Sequence, residues 1–139
     1  MFGFHHVALS VSDLKKSKEF YNIFGFKTVL DWVSESNDLT ISHLQLGLFF
    51  LELFCYKNPQ EKIEQSLDDD LHTIGIKHFG LRVDSIEIAK KNVIESGIAK
   101  ENDIAIKQGR TGITYFFLKD PDNNFVEIVE DKRQFKPAI

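Results

Sequence analysis

The sequence has one cysteine in 139 residues, Cys55, so no disulfide can form within the chain. It has no basic cluster. Its 17 Lys and Arg stand against 21 Asp and Glu, for a net charge of −4, which argues against nucleic acid as the main partner. It has no apolar run of the roughly 20 residues that a membrane helix needs. The longest, Leu46 to Phe54, is shorter and contains Glu52. The N-terminus lacks the basic and apolar stretches of a secretion signal, and the chain is expected to be cytoplasmic. Phenylalanine, by contrast, is plentiful, at 13 residues. A hydrophobic content of 42% is too high for disorder. The length suits one domain or two fused half-domains. Part of the aromatic surface is expected to line a pocket or an interface instead of a core.

Two stretches of the chain repeat. His6-Val-Ala-Leu-Ser-Val11 matches His78-Phe-Gly-Leu-Arg-Val83 at an offset of 72 residues. The same offset sets Leu14 against Ile86 and Gly25-Phe26 against Gly97-Ile98. Leu51-Glu52-Leu53 matches Val126-Glu127-Ile128 at an offset of 75, so the second copy carries three extra residues, expected in its last turn. Short strand-helix segments can look alike by chance, but here a His, a Gly and a Glu are all retained. The copies span about 1–57 and 75–131, and a polar connector, 58–74, joins them.

Local patterns place the elements. Phe4 to Val11 reads as a strand, with Ser12 as the cap of a following helix. Leu14, Ser17, Tyr21 and Phe24 recur at helical spacing, and Gly25 is placed to end that helix. Phe26 to Val33 reads as a strand, and Thr40 to Leu46 and Leu48 to Tyr56 as a hairpin around Gly47. In the second copy Ile76 to Val83 is a strand, and Ile86, Ala89 and Val93 mark a helix that Gly97 ends. Ile104 to Lys107 and Ile113 to Lys119 read as strands, Asp120 to Asn124 as a turn, and Phe125 to Val129 as the last strand.

Strand parity then separates two faces, because alternate side chains point to opposite sides of a sheet. Val7, Leu9 and Val11 oppose His6, Ala8 and Ser10. Leu51, Leu53 and Cys55 oppose Phe50, Glu52 and Phe54. Phe79, Leu81 and Val83 oppose His78, Gly80 and Arg82. Val126 and Ile128 oppose Phe125, Glu127 and Val129. The aliphatic faces are expected to pack on helices. The other faces collect two imidazoles and two carboxylates among aromatic rings. Carboxylates on a partly apolar face are costly unless paired or metal-bound. A lone strand Glu is ordinarily solvated, and a lone His is ordinarily a satisfied polar group. The four together, in repeat register, point to one divalent metal held by His6, Glu52, His78 and Glu127. Nitrogen and oxygen donors without thiolate suit Zn, Ni, Co, Mn or Fe. Four protein ligands in an octahedral shell leave two positions for water or substrate, which implies catalysis.

The segments His6-Val-Ala-Leu-Ser-Val-Ser-Asp-Leu14, Ser17-Lys-Glu-Phe-Tyr21, Gly25-Phe26, Leu51-Glu-Leu53, His78-Phe-Gly-Leu-Arg-Val83 and Asp120-Pro-Asp-Asn-Asn-Phe-Val-Glu127 cover most of the chain. In them the chain resembles the vicinal oxygen chelate superfamily, the group of glyoxalases, bleomycin-resistance proteins and extradiol dioxygenases. The resemblance implies an α+β fold of two βαβββ modules forming a concave mixed sheet around a metal, in a homodimer. Within the superfamily the four ligand positions are most similar to glyoxalase I, since the fosfomycin-modifying enzymes and the dioxygenases place no ligand where Glu52 stands. Two positions depart from the glutathione-binding pattern of bacterial glyoxalase I, which has an Arg where this chain has Ser10 and an Asn where it has Tyr56.

The expected activity is that of a lyase or isomerase acting on a small α-oxo or hemithioacetal substrate through an enediolate. Glu127 is the candidate base, and Glu52 could serve on the other face of the planar intermediate. Reprotonation of the same carbon from the other side would make the protein an epimerase. The alternative from another class is a non-catalytic drug-binding protein that uses Trp32 and the Phe-rich face. Arg82, Arg110, Phe50 and Phe54 are candidate substrate contacts, Arg82 and Arg110 for an anionic group. Each arginine has an ordinary reading too, a rim ion pair or an exposed loop residue. His43 alternates away from Leu44 and could reach the same cavity. His5 has the helix-facing parity. Asp68-Asp69-Asp70 reads as a solvated connector, and Cys55 as a buried apolar residue.

Overall fold

The computed structural model describes residues 2–136. Two modules follow one another with the same element order. The first comprises β1 (His6–Ser10), α1 (Leu14–Ile23), β2 (Lys27–Val33), β3 (Leu39–Leu46) and β4 (Phe49–Tyr56). A short helix, α2 (Leu67–His72), lies in the connector. The second module comprises β5 (His78–Val83), α3 (Ile86–Glu95), β6 (Lys107–Gln108), β7 (Thr114–Lys119) and β8 (Phe125–Glu130), with a 3-10 turn at Glu101–Asp103.

Each module builds one four-stranded mixed sheet, ordered β1-β4-β3-β2 in the first and β5-β8-β7-β6 in the second. In both, the opening strand lies parallel to the last, which a crossover through helix and hairpin permits. This is an α+β fold of paired βαβββ modules. The chain divides into two compact units. One runs from the N-terminus to Gln65 and includes Asp120–Asn123. The other holds Ser66–Lys119 and the chain from Asn124 onward. No helix among the described residues is long and apolar enough to cross a membrane.

The helix boundaries show the duplication at atomic detail. Asp13 caps α1 by accepting from the Lys16 amide, and Ser85 caps α3 by accepting from the Ile88 amide. Donor and cap both keep the 72-residue offset. Ser12, expected as the first cap, is not the cap. Its own amide is taken by the Asp122 carboxylate at 3.1 Å, and Asp13 has the extended backbone a cap requires. Gly25 and Gly97 follow the two helices with φ of +96° and +80°, the left-handed region where glycine carries no steric cost.

Burial follows the parity read from the sequence. In the first module Phe20 and Tyr21 of α1, Leu44 of β3, and Leu51 and Leu53 of β4 are buried. In the second, Ile86 and Val93 of α3, Phe116 and Leu118 of β7, and Val126 and Ile128 of β8 are buried. Two expectations change. The strand expected at Ile104 to Lys107 is only Lys107–Gln108, because Ile104 leaves the ladder and is buried as an apolar anchor after the 3-10 turn. The three extra residues of the second copy are not all in its last turn. Phe117 pairs with Glu127 as His43 pairs with Glu52, and these partners lie 74 residues apart. Two extra residues therefore precede β7, and one enters the turn before β8.

Tyr21 and Asp120 form a buried polar pair inside the first unit. The Tyr21 hydroxyl donates to Asp120 Oδ2 at 2.7 Å. Burial, and then the Asp120 charge, pushes the phenol well above its ordinary ionisation range.

Candidate functional site

The β3–β4 hairpin positions Glu52. With Gly47 and Leu48 as the two loop residues, the register pairs residues equidistant from the turn, and His43 faces Glu52. Cross-strand partners point to the same side of a sheet. One row across the first sheet is therefore Leu30, His43, Glu52 and Ala8. The next row is Trp32, Ile41, Phe54 and Ser10. His6 stands opposite Phe50, diagonal to Glu52. Both phenylalanines expected to touch substrate, Phe50 and Phe54, are half-buried on the Glu52 face.

His43 Nε2 lies 3.0 Å from Glu52 Oε2, with the side chains 27% and 20% exposed. His6 Nδ1 is 2.9 Å from His5 Nδ1. The His5 ring stacks on Phe50, so residue 5 does not keep the helix-facing parity; β1 begins only at His6. Leu30 and Trp32 on the outer strand are half exposed. On the same strand the Lys18 ammonium and the Ser42 hydroxyl hold the Asp31 carboxyl below its ordinary range.

The second sheet repeats the arrangement with different neighbours. Glu127 is flanked by Gly80 on β5 and Phe117 on β7. His78 Nε2 lies 3.4 Å from Glu127 Oε2, and Phe117 meets the His78 ring edge-on. A Cβ at position 80 would sit 3.4 Å from Glu127 Oε2, so glycine leaves the carboxylate room on that side. His78 Nδ1 is buried and has no hydrogen-bond partner.

The sequence pattern of the glyoxalase/bleomycin resistance protein/dioxygenase superfamily matches residues 3–128. This chain belongs to that superfamily. Among related proteins, the uncharacterized protein YwkD of Bacillus subtilis is 30% identical over 128 residues, covering 91% of this chain and 94% of that protein. A lactoylglutathione lyase of Schizosaccharomyces pombe is 30% identical over 143 aligned residues, covering 90% of this chain. The match takes in only 46% of the yeast protein, so the chain spans about half its length. A solved glyoxalase family protein from Enterococcus faecalis superposes with a TM-score of 0.77 at 25% identity, covering 92% of this chain and 97% of that one.

The remaining candidates fall in different places. Arg82 is exposed on the Glu127 side of β5, and its Nη2 donates to the Asp131 carbonyl at 3.5 Å. Arg110 is exposed in the turn between β6 and β7 and lies on neither sheet. Cys55 is half-buried, not buried, with Sγ 3.9 Å from the Ser12 carbonyl oxygen. Among the described residues, no group of three or more His, Cys, Asp or Glu is gathered as a metal site. What the structure brings together is pairs: His78 with Glu127, and His43 with Glu52.

His43 is the residue on which sequence reading put too little weight. The signal was available: positions 43 and 52 are equidistant from a two-residue hairpin loop, which fixes them as partners. Tyr21 with Asp120 left no such signal, since the two are 99 residues apart.

Proposed function

We propose that the chain is a metal-dependent lyase or isomerase of the glyoxalase I kind, acting on a small α-oxo or hemithioacetal substrate. The observation that carries this reading is that each module sets its glutamate beside an imidazole on the face away from the core, at 3.0 Å and 3.4 Å. The related lactoylglutathione lyase supports it.

Two groups of the second sheet suit a divalent cation: His78 Nε2 faces Glu127 Oε2 at 3.4 Å, and Glu127 has room beside Gly80. His6, Glu52, His78 and Glu127 would hold the metal. When bound, it would supply Lewis-acid stabilisation of negative charge on a substrate oxygen.

Glu127 takes the proton from the carbon beside the carbonyl and delivers it to the neighbouring carbon, which gives the isomerised product. Phe50 and Phe54, half-buried on the Glu52 face, would contact an apolar part of the substrate. Ser10 and Tyr56 offer no counterpart to the glutathione contacts of bacterial glyoxalase I, so the thiol is expected to differ from glutathione. Reprotonation of the same carbon from the other face would give epimerisation.

Metal analysis of purified protein, followed by assay of metal-reconstituted protein on methylglyoxal with several thiols, tests the reading. Near-stoichiometric metal and turnover with at least one thiol are expected. Protein that takes up no Zn, Ni, Co, Mn or Fe overturns it. The second reading, a drug-binding dimer, draws on Leu30 and Trp32, half exposed on the Glu52 face. Metal-free protein whose single tryptophan fluorescence is quenched by aromatic ligands would favour it.

A further inference from the structure

His43 is not one of the four proposed ligands, yet it is the polar group that faces Glu52. It stands directly across the β3–β4 ladder, and its Nε2 meets Oε2 at 3.0 Å. Phe50 borders its ring, with centroids 6.5 Å apart. The matching position in the second module is Phe117, which offers Glu127 no donor. The two glutamates therefore differ in restraint. Among the described residues, Glu127 is paired with His78, itself a proposed ligand. Glu52 has an imidazole of its own.

We propose that His43 is a positioning residue: it holds Glu52 Oε2 through Nε2–H and presents Oε1 as the oxygen available to a cation. This rests on the metal-dependent reading above. The physical basis is general. A carboxylate free to rotate pays conformational entropy on binding, whereas one fixed by a neighbouring donor has been ordered by the fold. Groups that orient metal ligands in this way are worth about 10–100-fold in metal affinity.

The test compares His43→Phe with His43→Gln in the full chain. Phenylalanine is what the second module carries at that position, so the sheet tolerates the shape. Glutamine keeps an N–H donor and serves if the aromatic variant folds poorly. Binding of Ni²⁺ is measured by calorimetry, and the visible spectrum of the Co²⁺ form is recorded. Circular dichroism checks the fold.

With His43→Phe the stoichiometry should hold while affinity falls about 10–100-fold. His43→Gln should recover most of the loss, and the Co²⁺ spectrum should keep its shape. Unchanged affinity in His43→Phe overturns the inference alone. Failure of His43→Gln to recover, with an altered Co²⁺ spectrum, would make His43 a direct ligand and overturn the positioning role. Wild-type protein that binds neither Ni²⁺ nor Co²⁺ overturns the metal-site reading, and this inference with it.

Discussion

The two modules share a backbone plan but not the same chemistry around their glutamates. In both, a helix cap, a helix-ending glycine and a parallel first-to-last strand pair fall at matching positions. Yet Glu52 faces His43 where Glu127 faces Phe117. The outer strand is seven residues long in the first module and two in the second. Tyr21 is buried against Asp120, and its counterpart Val93 is simply apolar. Packing is repeated where it builds the sheets, while polar groups diverge both beside the glutamates and in the core.

The largest effect should separate the two carboxylates. Glu127→Gln is expected to lower kcat by roughly 10²–10⁴-fold, the usual worth of a positioned proton-transfer group. Glu52→Gln is expected to lose metal affinity first and kcat as a consequence. Steady-state kinetics at saturating metal distinguish the two. Equal losses of kcat at saturation would mean that the glutamates do not divide the work.

Core truncations test the likeness. Leu53→Ala and Ile128→Ala remove equivalent buried side chains and should each cost about 2–5 kcal/mol in denaturant unfolding. A loss confined to one of them would show that the modules do not contribute comparably to one folding unit.

Tyr21→Phe breaks a contact that the second module lacks. It should cost about 1.5–3 kcal/mol, the range for a hydrogen bond to a charged group. The pH dependence has a definite sign. The folded phenol is held above its ordinary value of 10.0, so its contribution is fully present below pH 10. Stability then falls as pH rises further, because the unfolded phenol ionises and the folded one does not. In Tyr21→Phe that alkaline fall should be shallower, which urea titrations across that pH range would show; an identical slope refutes the assignment.

The smallest effect concerns two matched lysines. Lys18 reaches Asp31 at 2.7 Å, and Lys90, 72 residues later, reaches Glu101 at 2.6 Å. Their acidic partners are largely exposed, so Lys18→Ala and Lys90→Ala should each cost roughly 0–1 kcal/mol. A larger loss in either would reveal a role beyond a screened ion pair.

Much of the fold was legible because period and punctuation are local. Val7 and Leu9 alternate with His6 and Ala8 whatever surrounds them, and Gly25 and Gly97 end helices through their own backbone freedom. Ile104 misled because a short apolar run reads the same whether it pairs in a ladder or plugs a core. Ser12 misled because two adjacent residues could each cap α1, and it is Asp13 that has the extended backbone and whose carboxylate reaches the Lys16 amide.

The residue order by itself determined the doubled βαβββ plan, the two faces of each sheet, and the sides on which His6, Glu52, His78 and Glu127 stand. These depend on alternation and turn chemistry within a few residues. Only the folded structure decided which groups distant in sequence meet: His78 beside Glu127, and Tyr21 on Asp120. Such pairings depend on cross-strand register and on segments distant in sequence, and their energies arise only once the groups are brought within about 3 Å and removed from water.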